Sequence, residues 1–409
     1  MVSFRQLFST FLRIGWLSFG GPAAQIALMH TELVDRRRWL SEQQFLRALS
    51  LCMLLPGPEA MQLAAYAGWR LRGIRGGLIS GLLFILPGAA VIAALAAAYV
   101  AWGKLPLVQA AFLGIKACVL IVVIEALLRV SRRALKGNPH RLIALGAFIA
   151  IAAFRVPFPL VILAAAAIGA LLRQSAAEAV DAPHPAKGLW ILVPGIPIWL
   201  APVGLVWAMG SDFLTALGLF FAKLAVLTFG GAYAVLTYMT QTVVQDHGWL
   251  TTGQMIDALG LAETTPGPLI LVTEFVAWLA GHAEGGIAMA STAAGLSLWV
   301  TFVPSFLFIF AFAPSIDWLA SRPRLAAALE GVTAAVVGVI GTLALWFGMQ
   351  VLFGGKTLAL GAVHLPDPAA LDWRAALIAL AAGIAMLRFQ VGLLWVLGAS
   401  ALAGLLIAG

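Results

Sequence analysis

Twice in this chain a Pro-Gly-Pro triplet interrupts an apolar run, once in "LLPGPEAMQ" from Leu54 to Gln62 and once in "TTPGPLI" from Thr264 to Ile270. Twice a glycine pair follows a hydroxyl residue, in "SFGG" from Ser18 and in "TFGG" from Thr228. A backbone that leaves helical geometry in hydrocarbon exposes unpaired amide and carbonyl groups at several kcal/mol each. Such breaks survive only where they line a protein-enclosed cavity. Proline suits the first position of a helix, so Pro22, Pro58 and Pro268 are expected to start helices after their glycines. The free N–H groups and partial positive charge of a helix start fit a tetrahedral oxyanion. The backbone candidates for that chemistry are Gly20, Gly21, Pro22, Pro56, Gly57, Pro58, Gly230, Gly231, Pro266, Gly267 and Pro268.

Side chains near the breaks could add charge and donors. Arg13 and Lys223 each precede the hydroxyl of a glycine motif by five residues. A cation inside a membrane segment marks a conduction path or a buried pair, and near a helix end it can instead snorkel. Glu59 follows the first Pro-Gly-Pro and Glu263 precedes the second. Either could titrate as a proton carrier or neutralise a nearby cation. Ser18, Thr228, Thr264, Thr265, Gln25 and Gln62 could donate hydrogen bonds to an anion, although hydroxyls in membrane helices also bond their own preceding turn. Lys116 shares one apolar segment with Glu125. Cys52 and Cys118 lie in apolar runs and read as buried thiols. The six histidines are scattered, and no Ser-His-Asp, metal-ligand or nucleotide motif appears. The chain is therefore expected not to be an enzyme and to need no cofactor and no metal.

The elements that carry these groups must be membrane helices. Of 409 residues, 62% are hydrophobic and 10% charged, well below the roughly 25% charged residues of soluble chains. Runs such as "GGLISGLLFILPGAAVIAALAAAYVAW" from Gly76 exceed the ~20 residues that a helix needs to cross hydrocarbon. Alternation of period two in strand-length blocks is absent, which argues against a barrel. Arg13 interrupts the first apolar stretch and no cleavage pattern follows it, so a removable signal peptide is not expected. The fold class is all-α and polytopic. The formal charge of +8 sits in short loops, where Lys and Arg orient a membrane protein. It signals topology and a lipid bilayer partner, not nucleic acid. Trp39, Trp69, Trp102, Trp249 and Trp373 cluster near predicted helix ends, as interface anchors do.

The chain also repeats itself. Ser18 and Thr228, Trp39 and Trp249, and Pro56 and Pro266 all align at a shift of 210. Gly114 aligns with Gly331 at 217, which gives Lys116 the counterpart Thr333, and Arg155 aligns with Arg388 at 233. The expected organisation is a first repeat over 1–173, a polar linker over 174–187, a connecting transmembrane helix over 188–210 and a second repeat over 211–409. One extra crossing would invert the second repeat. Charge supports that: residues 1–187 hold 19 Lys and Arg against 7 acids, whereas residues 188–409 hold 6 against 10. The basic loops of the first half, around Arg36 and Arg72, match uncharged or acidic loops in the second, while Arg322 and Arg324 match the loop at Lys104. If the loops on both sides of the first Pro-Gly-Pro face the cytoplasm, its two arms of about a dozen residues form a re-entrant hairpin. Phe4 to Val34 is either another hairpin or one broken span, and the arms of similar length that flank Arg155 leave room for a third hairpin.

The chain resembles the chromate ion transporter family in its long form with two homologous domains. The resemblance rests on "SFGGPAAQI" from Ser18, "ELVDRRRWLSEQQF" from Glu32, "LLPGPEAMQLA" from Leu54 and "GGLISGLLFILPG" from Gly76. The second half adds "KLAVLTFGGAYAVL" from Lys223 and "LAETTPGPLILVTEFV" from Leu261. Met61 departs from the glutamine expected before Gln62. The resemblance implies chromate export across the bacterial inner membrane, driven by the proton motive force, and so chromate resistance. It carries over Arg13, Ser18 to Pro22, Pro56 to Glu59, Lys223, Thr228 to Gly231 and Pro266 to Pro268. A dianion leaving a negative interior gains about 4.6 kcal/mol per 100 mV, at ~2.3 kcal/mol per charge, so export also works as uniport. Sulfate or another tetrahedral oxyanion is the rival substrate, since a pocket rejects isosteres poorly. A non-transporting membrane scaffold is the rival class, and a second copy of the chain is a candidate partner.

Overall fold

The computed structural model describes residues 2–172, 186–229, 232–315, 323–360 and 363–408. Most of the expected linker, together with Gly230, Gly231 and Arg322, lies outside the described residues. The chain is an all-α polytopic membrane protein. Among the described residues four helices, Glu59–Trp102, Pro106–Ala134, Leu269–Phe312 and Arg324–Phe353, are long and apolar enough to cross a membrane.

The first half runs through α1 (Phe4–Leu17), α2 (Gly21–His30), a π turn (Thr31–Arg36), α3 (Glu42–Leu54), α4 (Glu59–Trp102), α5 (Pro106–Ala134), α6 (Asn138–Ala152) and α7 (Phe158–Leu172). Ser3 and Ser41 start α1 and α3 with capping boxes closed by Gln6 and Gln44, which satisfies N–H groups that a helix start leaves unpaired. The short α8 (Ala186–Leu189) and α9 (Leu192–Ala208) follow. The second half repeats the order with α10 (Asp212–Leu227), α11 (Ala232–Gln241), a π turn (Thr242–Asp246), α12 (Thr252–Thr264), α13 (Val272–Phe312) and α14 (Pro323–Phe353). A β-hairpin of β1 (Thr357–Leu360) and β2 (Val363–Pro366) precedes α15 (Trp373–Gly383) and α16 (Leu393–Ala408).

Local geometry matches between the halves residue for residue. Trp39 N–H donates to Leu33 O at 2.8 Å and Trp249 N–H to Val243 O at 2.9 Å. The left-handed residue before each tryptophan is Arg38 (φ 52) or Gly248 (φ 64). The turn after α6 corrects one alignment. Arg155 (φ 50) precedes a bond from Val156 N–H to Ala150 O, and Gln390 (φ 53) precedes one from Val391 N–H to Ala385 O. The shift is therefore 235, and Arg155 pairs with Gln390 rather than Arg388. The backbone turn fixes the register, and the arginine two residues away is a coincidence of type.

α4 and α13 are not straight rods. Helical geometry fails at Arg72 and Gly73 in α4, and at Gly285 and Gly286 in α13. Ser80 Oγ donates to Ala64 O at 2.7 Å, although sixteen residues of unbroken helix would separate them by about 24 Å. Each element is thus a helical hairpin with a short arm (59–71 in α4) and a long one (74–102). Gly68 and Gly76 let the arms touch, because a Cβ at Gly68 would lie 2.2 Å from Gly76 O.

Two of the expected helix-starting prolines stand outside their helices. Pro58 precedes α4, and Pro268 (ψ 136) caps the short 3-10 turn Leu269–Leu271. Their carbonyls accept from Gln62 N–H at 3.0 Å and Leu271 N–H at 2.9 Å, the role of a capping residue. Only Pro22 lies in the first turn of its helix.

The chain forms two compact units, each drawing on both halves. One comprises Met1–Ala96, Leu163–Val235 and Thr265–Thr333. In it α10 packs on α13 and α9, and Gly169 of α7 meets Gly331 of α14, where a Cβ at Gly331 would lie 2.4 Å from Ala165 O. The other comprises Ala97–Ile162, Leu236–Thr264 and Ala334–Gly409. There α5 is flanked by α16, α15 and α12, and Gly114 of α5 would meet Ser400 O of α16 at 1.7 Å if it carried a Cβ. Small residues at these crossings give close backbone packing, the main source of association between helices in lipid.

Candidate functional site

The four helix breaks interlock within the first unit. Gly57 N–H, in the first Pro-Gly-Pro, donates to Thr228 O at 2.7 Å, and Gly267 N–H, in the second, donates to Ser18 O at 2.9 Å. Each triplet of one half thus binds the hydroxyl-glycine motif of the other, at positions related by the same shift of 210. The glycines permit the path: Gly20, Gly21, Gly57 and Gly267 have φ of 86, 76, 126 and 89, values that side chains with a Cβ rarely adopt. The breaks lie at the middle of the 74–102 arm. Gly15, just before Ser18, meets Leu83 O, and a Cβ at Gly88 would lie 2.2 Å from Pro266 O.

Two glutamines of the first half clamp this knot. Gln25 Nε2 donates to Gly267 O at 2.6 Å and to Ser18 O at 3.2 Å. Gln62 Nε2 donates to Pro56 O at 2.7 Å. The Oε1 atoms of both are buried without a partner. Their counterparts are Val235, at the shift of 210, and Phe275, at the shift of 213 that relates α4 to α13, so the knot is symmetric in backbone and asymmetric in side chains. Ser18 Oγ donates to Ile14 O at 2.5 Å and Thr228 Oγ1 to Leu224 O at 2.7 Å. Both hydroxyl protons are spent on the preceding turn, which leaves their lone pairs. At the start of α2, Gly20, Gly21 and Ala23 N–H find no acceptor among the described residues. A Cβ at Gly21 would lie 4.0 Å from Tyr233 Oη, a hydroxyl that sequence reasoning missed although it stands two residues beyond the second glycine pair.

The predicted charges are placed differently from the loops. Arg13 and Lys223 are exposed on α1 and α10, on flanks they share with Trp16 and Leu17 or with Leu219 and Val226. Glu59 is half-buried at the first residue of α4, where a carboxylate offsets the positive helix end. Thr265 is buried beside the second triplet, and Thr264 Oγ1 donates to Leu261 O at 2.7 Å. At the last residue of α2, His30 Nε2 lies 2.7 Å from Glu42 and Nδ1 3.4 Å from Asp35. The Glu42 hydrogen bond outweighs a smaller desolvation effect and raises this imidazole above its ordinary value.

The second unit holds a separate polar group. Lys116 Nζ lies 2.9 Å from Asp257 Oδ1, and Tyr99 Oη donates to Asp257 Oδ2 at 2.6 Å. Asp257 is 2% exposed, so Lys116 supplies the buried countercharge that such a carboxylate requires. Glu263, on the same helix as Asp257, is also buried. Cys52 and Cys118 are both buried and free.

Comparison with known proteins agrees on one family. A family model described as "Chromate transporter" matches residues 5–170 and 215–405. A "Chromate transport protein" of Pseudomonas aeruginosa is 35% identical over 350 residues, covering 83% of this chain and 80% of that protein. One of the same name from Cupriavidus metallidurans is 31% identical, covering 82% and 80%. A "Probable chromate transport protein" of Synechococcus elongatus is 29% identical over 89% of each chain. No solved structure matches.

Proposed function

The chain belongs to the chromate transporter family, and from that premise we propose that it exports chromate across the bacterial inner membrane, driven by the proton motive force. The observation that carries the reading is the reciprocal pair of bonds from Gly57 to Thr228 and from Gly267 to Ser18. Four helix breaks tied together halfway along a membrane-length arm form an irregular backbone that hydrocarbon would not tolerate unless it served a polar path. The N–H groups of Gly20, Gly21 and Ala23, which find no acceptor among the described residues, are the donors offered to the oxyanion. The two repeats, 1–173 and 211–409, run in opposite senses across the bilayer, with α9 as the connecting span and the 174–187 segment as linker. Arg13 and Lys223 draw the anion toward the knot along the flanks of α1 and α10, and Glu59 or Glu263 carries the coupled proton. Both arms of each Pro-Gly-Pro return to the side they came from. A homodimer is the proposed assembly.

Chromate flux into inverted membrane vesicles at fixed potential tests this, with and without a pH gradient. Wild type should accumulate chromate, faster with the gradient, and Arg13→Gln and Lys223→Gln should each lose at least tenfold. Normal flux in both variants would remove the cations from the path. Sulfate that competes equally with chromate would broaden the substrate to tetrahedral dianions, and absent wild-type flux would sink the transport reading.

A further inference from the structure

The hairpin of α13 holds polar side chains that the proposed oxyanion path does not use. Glu274, Ser297 and Thr301 are 3%, 0% and 2% exposed. Glu274 Oε2, Ser297 Oγ and Thr301 Oγ1 are all buried without a hydrogen-bond partner among the described residues. The register of the hairpin brings them to one level. Near its turn the arms touch, since a Cβ at Gly281 would lie 2.8 Å from Ala290 Cα and 2.9 Å from Ala293 Cβ. Glu274 stands about two helical turns before Gly281, Ser297 about two turns after Ala290, and Thr301 one turn further on the same face. The first half shows the same approach of the arms one helical turn nearer its own bend, in the bond from Ser80 Oγ to Ala64 O. Counted from the matched turns at Gly73 and Gly286 and from the matched contacts of Gly68 and Gly281, Glu274 and Ser297 correspond to Met61 and Phe84. The second half therefore sets a carboxyl and a hydroxyl where the first has a thioether and a phenyl ring.

The hydroxyls behave unlike their neighbours. On the same arm Ser291 Oγ donates to Ile287 O and Thr292 Oγ1 to Ala288 O, both at 2.9 Å, the usual fate of a hydroxyl in a membrane helix. Ser297 and Thr301 make no such bond. Glu274 forms no ion pair among the described residues. Of the elements packed on α13, α9 carries no charged residue, and α10 carries Asp212 and Lys223, both exposed. α4 meets α13 where Gly81 and Gly77 lie against Phe306 and Phe310, and its Glu59 is half-buried. α8 meets it at Ala311, about 15 Å along the helix from Thr301. An ionised carboxylate with no countercharge is costly to bury, and convergent oxygens of this kind suit a hard cation.

We propose that Glu274, Ser297 and Thr301 form a site for a small monovalent cation, sodium or hydronium, in which the carboxylate supplies the charge and the hydroxyls the neutral ligands. Glu274 lies six residues beyond Pro268, so the site adjoins the second Pro-Gly-Pro. As the site of a driving ion it deepens the transport reading and rests on it; as a binding site it stands without it.

The test uses the purified full-length chain in detergent and follows thermal melting. Sodium is titrated against choline at alkaline pH, and in a second arm pH is lowered without sodium. Wild type should be stabilised by sodium, which identifies that ion, or by acid alone, which identifies hydronium. Glu274→Gln should melt independently of both. The double variant Ser297→Ala with Thr301→Val keeps the carboxylate and should raise the half-saturating concentration of the acting cation at least tenfold. A wild type indifferent to both ions, a response that survives Glu274→Gln, or a double variant identical to wild type would each overturn the proposal. If Glu274→Gln does not fold, the hydroxyl variants decide. A chain that binds the cation but moves no chromate would count against the transport reading alone.

Discussion

At the scale of single residues, the knot of loops depends on one amide. Gln25 Nε2 donates to Gly267 O and Ser18 O, one carbonyl from each half. Gln25→Leu keeps the volume and removes both bonds. Ser18 O retains the Gly267 N–H, but Gly267 O loses the Gln25 donor, at a cost of roughly 1–3 kcal/mol for a buried polar group left unsatisfied. Thermal melting of the purified variant should fall accordingly, and chromate flux should drop on the order of tenfold, the equivalent of about 1.4 kcal/mol. Val235→Gln, at the counterpart position, should not restore flux in the Gln25→Leu background, because it faces the other loop pair. Unchanged melting and flux in Gln25→Leu would show that the backbone bonds alone hold the knot. The role of Gln25 was only half legible in the sequence. Its polarity in an apolar helix marked it, but its partner lies 242 residues away and no spacing rule connects them. Lys116 is a similar case: its charge was conspicuous, whereas Asp257, its partner, sat unnoticed in a helix with ordinary polar content.

At the scale of elements, the breaks were legible because glycine and proline punctuate helices for stereochemical reasons. Positive φ at Gly57 and Gly267 and the cap geometry of Pro268 are local consequences of residue type. The fold-back of α4 was legible only through its arginines, which pointed to a loop, and not through hydropathy, which runs unbroken from Gly76. What the sequence does not announce is the close contact that makes the hairpin compact. A Cβ at Gly68 would lie 2.1 Å from Ser80 Oγ and 2.2 Å from Gly76 O. Gly68→Leu must therefore part the arms of α4, a loss of roughly 1–3 kcal/mol by the measure of overpacked cores. Gly204→Leu, where a Cβ would meet nothing within 4 Å, is the control and should melt like wild type. Equal melting of the two variants would mean that the arms separate without cost. The alignment of Arg155 with Arg388 failed for a related reason. Residue type suggested one register and the backbone turn, invisible in a single sequence, adopted another.

At the scale of the whole molecule, the reciprocal contacts fit a two-fold relation between the repeats, and the charge of the loops is what argues for an axis in the membrane plane. The first triplet bonds the second glycine motif and the second triplet the first, while Gly114 meets α16 and Gly331 meets α7. Exchange of this kind is what a two-fold axis produces, and an axis in the membrane plane turns one repeat over. The charge asymmetry of the halves points the same way, since cytoplasmic loops collect Lys and Arg. Arg72 Nε donates to Val2 O, and its guanidinium lies 5.2 Å from the Phe4 ring, so the N-terminus and the turn of α4 share one face. A single cysteine introduced at Arg72, at Glu42 or at Gly285, in a background where the buried Cys52 and Cys118 are replaced by alanine, reads the topology with an impermeant maleimide. In right-side-out membranes Gly285→Cys should label, while Arg72→Cys and Glu42→Cys should label only after permeabilisation. Labelling of Arg72 and Gly285 from the same face would dismiss inversion, and the shared contacts would then reflect packing alone. Labelling of Glu42 and Arg72 from opposite faces would leave inversion standing and turn the first Pro-Gly-Pro from the tip of a hairpin into the middle of a crossing.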